Sequence, residues 1–158
     1  LTDIKGIGPD KAVTICAAIE LGRRLTYIYD KRKLENFSTP EKVSAFFMER
    51  LRHETQEHFL VAFVNVKNRL LGYKEVSIGG LNETPVDIKE AMKWAIRYKA
   101  FGLILLHNHP SGYPEPSKED IEMTKTFAKA AQLLDMEVLD HVIIGDGIYV
   151  SLHERGVI

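Results

Sequence analysis

Leu103-Ile104-Leu105-Leu106-His107-Asn108-His109-Pro110-Ser111-Gly112-Tyr113-Pro114-Glu115-Pro116-Ser117-Lys118-Glu119-Asp120 spells out a strand, a stiff loop and the start of a helix. Leu103 to Leu106 is short and wholly apolar, the pattern of a central strand buried on both faces. Pro110, Pro114 and Pro116 then restrict the backbone. Ser117 with Asp120 three residues later forms a capping box, which opens a helix from Lys118 to about Leu134. Ile121, Thr124, Phe127, Ala128 and Ala131 recur at helical spacing and form its inner stripe.

Downstream of this unit, Glu137 to Ile144 reads as a strand, Asp146-Gly147 as a tight turn and Ile148 to Leu152 as a returning strand. Upstream, Thr84-Pro85 offers a cap and a first helical residue for a helix to about Tyr98, with Asp87 three residues after the cap. His58 to Val66 and Leu70 to Ile78 form a hairpin around Lys67-Asn68-Arg69. Glu41 to Arg52 reads as a helix presenting Val43, Phe46, Phe47 and Leu51 on one face. The charged, aperiodic stretch before it reads as a linker. At the front, the glycine loop Gly6-Ile7-Gly8-Pro9 enters a helix that begins at Asp10 and ends near Gly22 and Arg23-Arg24. The expected fold is α/β (mixed α+β), a sheet flanked by helices with a small N-terminal helical segment. The expected division is residues 1–24 for that segment, 25–40 for the linker and 41–158 for the main domain.

A chain of 158 residues with a formal net charge of −1 suits one main domain and a small appendage. No apolar run approaches the roughly 20 residues that span a bilayer, so no membrane partner is expected. The polar, glycine-rich start gives no signal peptide, and a first residue other than Met leads us to expect sequence upstream. The single cysteine, Cys16, excludes an internal disulfide and fits a cytoplasmic setting. Up to Lys33 there are seven Lys/Arg against four Asp/Glu, a basic front end suited either to phosphate contact or to a solvated charged face.

His107 and His109 lie two apart at a strand end, where functional groups of strand–helix units gather. An extended backbone points both imidazoles to one side. Asp120, in the first turn of the next helix, can face back toward them. Two histidines and a carboxylate make three ligands and leave a fourth tetrahedral position open, the pattern of a catalytic zinc site. Zinc lowers the pKa of bound water to about 7 and so creates a nucleophile. A general base is then needed, for which Glu54, Glu57, Glu83 and Glu115 are candidates. Glu57 is preferred, because it stands at the mouth of a strand that could lie beside Leu103–Leu106. Taken singly, His-x-His is a weak signal and a Glu before a strand is ordinary.

Together, Glu57, His107-Asn108-His109 and Ser117-Lys118-Glu119-Asp120 resemble the JAMM signature of MPN-domain metalloproteases. His107-Asn108-His109-Pro110-Ser111-Gly112, Pro116-Ser117, Asp120, Leu139-Asp140-His141 and the stretch Ala18–Arg24 resemble, more narrowly, the bacterial RadC family. The resemblance covers nearly the whole chain. It implies an MPN-type sheet, one zinc ion per chain held by His107, His109 and Asp120, and Glu57 as the base that takes a proton from metal-bound water. Ser117 would donate to the developing oxyanion. The implied substrate is an amide of a peptide or protein, cleaved at a peptide or isopeptide bond. Asp140 and His141 become candidates for supporting or substrate-contacting roles, with capping of a strand as the alternative. Two positions depart from the family pattern: Ile88-Lys89-Glu90 replaces a usual Pro-Arg-Glu, and Tyr113 replaces a frequent Asp.

Gly6-Ile7-Gly8 followed by Ala12 and Ile15 resembles the second half of a helix-hairpin-helix. In that module, loop N–H groups at a helix start hold a DNA phosphate. Gly6, Gly8 and Lys11 would make that contact here, with Lys5 adding charge. The alternative is a glycine turn that enters a packing helix. The expected function is therefore a zinc-dependent hydrolase. Set against it are a DNA-associated accessory protein that uses the MPN domain as a scaffold and a metal-dependent nuclease. The complete ligand set favours the first, and a nuclease commonly needs more carboxylates and two metals. Neither substrate identity nor oligomeric state is legible.

Overall fold

The computed structural model describes residues 4, 7–30, 35–79 and 86–158, with backbone alone for 23–30. It divides into two units, Leu1–Glu35 and Asn36–Ile158. The first contains helix α1 (Pro9–Asp30). The sequence suggested a helix end near Gly22, but the helix runs through it and six residues beyond Arg24. A mid-helix glycine costs only about 1 kcal/mol relative to alanine, less than the continuing hydrogen-bond ladder supplies when Arg and Leu follow.

The second unit holds α2 (Pro40–Leu51), β1 (His58–Val64), β2 (Leu70–Ile78), α3 (Ile88–Tyr98), β3 (Gly102–Asn108), α4 (Lys118–Gln132), β4 (Glu137–Ile144) and β5 (Tyr149–Ser151). The strands form one mixed sheet in the order β2-β1-β3-β4-β5. β3 and β4 are parallel and are joined by α4, while the other neighbours are antiparallel. This is a mixed α/β architecture consistent with an MPN/JAB-type fold, as expected. Among the described residues no helix is long and apolar enough to cross a membrane.

Strand alternation gives each face of the sheet its own core. Phe59, Val61, Phe63, Leu103 and Leu105 pack with Ala91, Met92 and Ala95 of α3 and with Phe127 and Ala131 of α4. Leu60, Ala62, Val64, Ile104, Leu106, Val142 and Ile144 pack with Val43, Phe47 and Leu51 of α2. β1 and β3 lie between the two helical layers, which explains why both read as continuous apolar runs.

Several boundaries differ from the sequence reading. α3 begins at Ile88, because Asp87 is its cap and accepts from the Glu90 N–H, while Val86 is buried as a packing residue. Thr84-Pro85, the expected start, lies outside the described residues. β1 ends at Val64, since Asn65 turns the chain by accepting from the Lys67 and Arg69 N–H groups, and Val66 is exposed. α4 stops at Gln132, and Ile121 and Ala128 sit at the half-buried border of its stripe. Phe46 is largely exposed, with its ring against the edge of Phe37.

Candidate metal centre

β3 delivers the first ligand candidate. Leu103, Leu105 and His107 point to the α4 side of the sheet, where His107 is buried and stacks on Phe59. The pairing continues one residue past the strand, through the His109 N–H to the Ile144 carbonyl at 2.9 Å. His109 therefore returns its ring to the same side, as the extended spacing suggested. The loop beyond is held close to the β4–β5 turn. Gly112 adopts a positive φ of 81°, and its carbonyl accepts from the Asp146 N–H. A Cβ at Gly145 would meet that Gly112 carbonyl and come within 2.8 Å of Pro114. Only glycine lets the two backbones approach this closely.

α4 delivers the third ligand candidate. Ser117 and Asp120 form the expected capping box. The Ser117 hydroxyl accepts from the Asp120 N–H at 3.1 Å, and Asp120 Oδ2 accepts from both the Ser117 N–H and its hydroxyl at 2.7 Å. Asp120 Oδ1 is left facing His107 Nε2 at 3.1 Å, and His109 Nε2 stands 3.5 Å from Oδ2. The two histidine Nε2 atoms are 2.9 Å apart. One donor atom from each of His107, His109 and Asp120 falls within a 4.8 Å cluster, so this buried group could hold a metal ion.

The donor chemistry fits a cation. His109 Nδ1 lies 2.9 Å from the Tyr113 carbonyl, which can only accept, so Nδ1 carries a proton and Nε2 is the ring nitrogen turned to the cluster. Nε2 converges there with His107 Nε2 and the Asp120 carboxylate. The Asp120 hydrogen bond raises the His109 pKa against the opposing effect of burial, with the Tyr113 carbonyl and the Glu57 charge assisting. Burial would push Asp120 up, but the facing imidazoles of His107 and His109 prevail and hold it far below the usual carboxylate range. Both shifts express the attraction between this carboxylate and the imidazoles.

Glu57 is half-buried beside this cluster, and its charge acts on His109. Glu54 is exposed and turns to His58, 3.4 Å from its Nε2. Glu115 pairs with Arg155, and Glu83 lies outside the described residues. Sequence reasoning passed over Asn108. Its side chain accepts from the His58 N–H at 2.8 Å and donates to the Gln56 carbonyl at 3.0 Å, gripping the backbone on both sides of Glu57. No sequence signal announces a contact 50 residues away.

Asp140 and His141, expected as a pair, part across the strand. Asp140 turns away from the cluster and accepts from the Ser151 hydroxyl and the His153 N–H, so it ties β4 to the C-terminal turn. His141 faces His107, with Nε2 at 2.8 Å from Nδ1. Burial, helped by the neighbouring His107, pushes the His141 pKa well down, so the ring is neutral. In the first unit, Gly8 immediately precedes α1 and Lys11 is exposed in its first turn, while Gly6 lies outside the described residues.

A mixed sheet covered by helices on both faces, with a buried His-His-Asp group where a strand hands over to a capped helix, defines a JAB/MPN-type domain. The family model described as "RadC-like JAB domain" matches residues 37–157. The chain belongs to the RadC family. It is 49% identical over 158 residues to a UPF0758 protein of Halalkalibacterium halodurans, covering 99% of this chain and 67% of the relative. A UPF0758 protein of Caldanaerobacter subterraneus subsp. tengcongensis is also 49% identical, with 99% and 66% covered. A third, from Desulforamulus reducens, is 46% identical, with 100% and 69% covered. The chain thus spans about two thirds of the length of these relatives.

Proposed function

We propose that this domain is a zinc-dependent hydrolase of the JAMM type that cleaves a peptide or isopeptide bond. One observation carries the reading: a ring nitrogen of each of His107 and His109 and the Asp120 carboxylate converge on one point, with the half-buried Glu57 near them. His107, His109 and Asp120 are the residues that would hold the ion. Two histidines and one carboxylate leave a fourth tetrahedral position open, as catalytic zinc sites do. A zinc ion held there would supply Lewis acidity and would lower the pKa of a water it binds to about 7.

The protein's own residues supply the rest. Glu57 accepts a proton from the attacking water and returns it to the leaving nitrogen. The Asn108 grip on its flanking backbone fixes where its carboxylate stands. Ser117 contributes in two ways: its hydroxyl orients Asp120 at rest and can donate to an oxyanion when it turns from that carboxylate. Phe59 stacks on His107 and walls that side of the cluster.

The purified protein is expected to carry about one zinc per chain by elemental analysis, and the His107→Ala, His109→Ala double variant to carry none. Full zinc retention in that variant would end the proposal. Glu57→Gln keeps shape and zinc but removes the proton acceptor. In a screen of peptide and isopeptide substrates run with and without chelator, it should lose about 10²–10⁴-fold in rate. A dead Glu54→Gln beside a fully active Glu57→Gln would transfer the role to Glu54, and activity in both would remove the general-base assignment.

A further inference from the structure

His107 has one ring nitrogen for an ion and one for the protein, and the protein's side is a closed circuit. The Thr124 hydroxyl donates to the Asp120 carbonyl at 2.6 Å. Having given its only proton there, it must accept from His141, whose Nδ1 lies 2.6 Å away. His141 thus carries its proton on Nδ1. It is fully buried, its two nitrogens face a hydroxyl and another imidazole, and a lone charge there would be costly, so its Nε2 is bare. A bare Nε2 accepts, and the group 2.8 Å away is His107 Nδ1, which must therefore be the protonated nitrogen of that ring. His107 Nε2 is left as a lone pair, directed at His109 and the Asp120 carboxylate. The circuit begins at the backbone of Asp120 and ends at its side chain. Thr124 is 0% and His107 1% exposed, so the relay is shielded from bulk solvent.

We propose that Thr124 and His141 are positioning residues that lock His107 in the one tautomer able to bind a metal ion through Nε2. This inference rests on the metal reading of the site and adds a part to it. The device has a direction. Removing the Thr124 hydroxyl strips the His141 Nδ1–H of its partner and favours the opposite tautomer, with the proton on Nε2. That proton would point at His107 Nδ1, turn it into an acceptor and place the His107 proton on Nε2, where the ion belongs. Thr124→Val changes the hydroxyl to a methyl with almost no change of shape, so the fold is kept while the direction is lost. Thr124→Ser restores the hydroxyl.

The test is zinc affinity, measured on the full chain by competition with a chromophoric chelator, with thermal melts alongside. Wild-type protein and Thr124→Ser should bind alike, Thr124→Val about tenfold more weakly, and His141→Phe at the upper end of the 10–100-fold range usual for lost supporting bonds. Nitrogen-15 spectra of the imidazoles should report His141 protonated at Nδ1 in the wild type, a signature that packing alone would not set. Equal zinc affinity in Thr124→Val and the wild type, no recovery in Thr124→Ser, or a His141 proton on Nε2 in the wild type would each overturn the relay and leave the metal site standing. A wild-type chain that binds no zinc would overturn both.

Discussion

Asn108 stands between two histidines in the sequence and does a different job from either. It is buried on the opposite side of β3, where it satisfies the Gln56 carbonyl and the His58 N–H. Asn108→Ala leaves both groups without that partner, and a buried polar group left unpaired costs about 1–3 kcal/mol. Chemical denaturation should therefore show a loss of about that size, while elemental analysis still finds zinc, because no ligand is touched. Loss of zinc together with unchanged stability would contradict this division of labour. The meeting of His107, His109 and Asp120 was legible in the sequence, since strand alternation and the capped helix fix the spacing. The Asn108 grip was not legible, because a hydrogen bond to backbone leaves no mark on the sequence of its partner. The separation of Asp140 from His141 was available in principle from strand alternation, but their adjacency in the sequence obscured it.

The loop and the helix start on either side of Pro114 can be tested separately. Ser117→Ala removes a helix cap, which costs about 0.5–2 kcal/mol, and also takes a hydroxyl partner from Asp120 Oδ2. Gly145→Ala pushes a methyl against the Gly112 carbonyl and Pro114 Cδ, and so displaces the segment that carries the Tyr113 carbonyl and orients His109. Thermal melts should show both variants destabilised. Zinc competition should separate them by degree: in Ser117→Ala the Ser117 N–H still holds Asp120 Oδ2 and binding weakens little, whereas Gly145→Ala weakens it more through His109. Element identity was readable wherever one signal dominated, as in the β1–β2 hairpin and the capping box of α4. The start of α3 was not legible, because Asp87 reads equally well as a first-turn acid and as the cap it proves to be. α1 passed its apparent stop because glycine lowers helix stability without forbidding it.

At the scale of the whole chain, every residue of the metal cluster and of its supporting circuit lies within Asn36–Ile158. A fragment of residues 36–158 is expected to fold alone and to match the full chain in zinc content and affinity. We propose that any DNA contact made by Gly6, Gly8 and Lys11 belongs to the other unit. Retention by a DNA column at low salt, falling steeply as salt rises, should then be confined to the full chain and weaken in Lys11→Ala. Equal retention of the fragment would reassign that contact. The convergence of His107, His109 and Asp120 on one point has a consequence for stability. A cation that binds only the folded state adds RT ln(1 + [L]/Kd), about 2.7 kcal/mol at a hundred times Kd. For a domain of ordinary stability, that is a large share of the margin between survival and proteolysis. If these residues hold an ion as proposed, starving a cell of it should lower the abundance of the protein, so that metal supply sets how much of it exists.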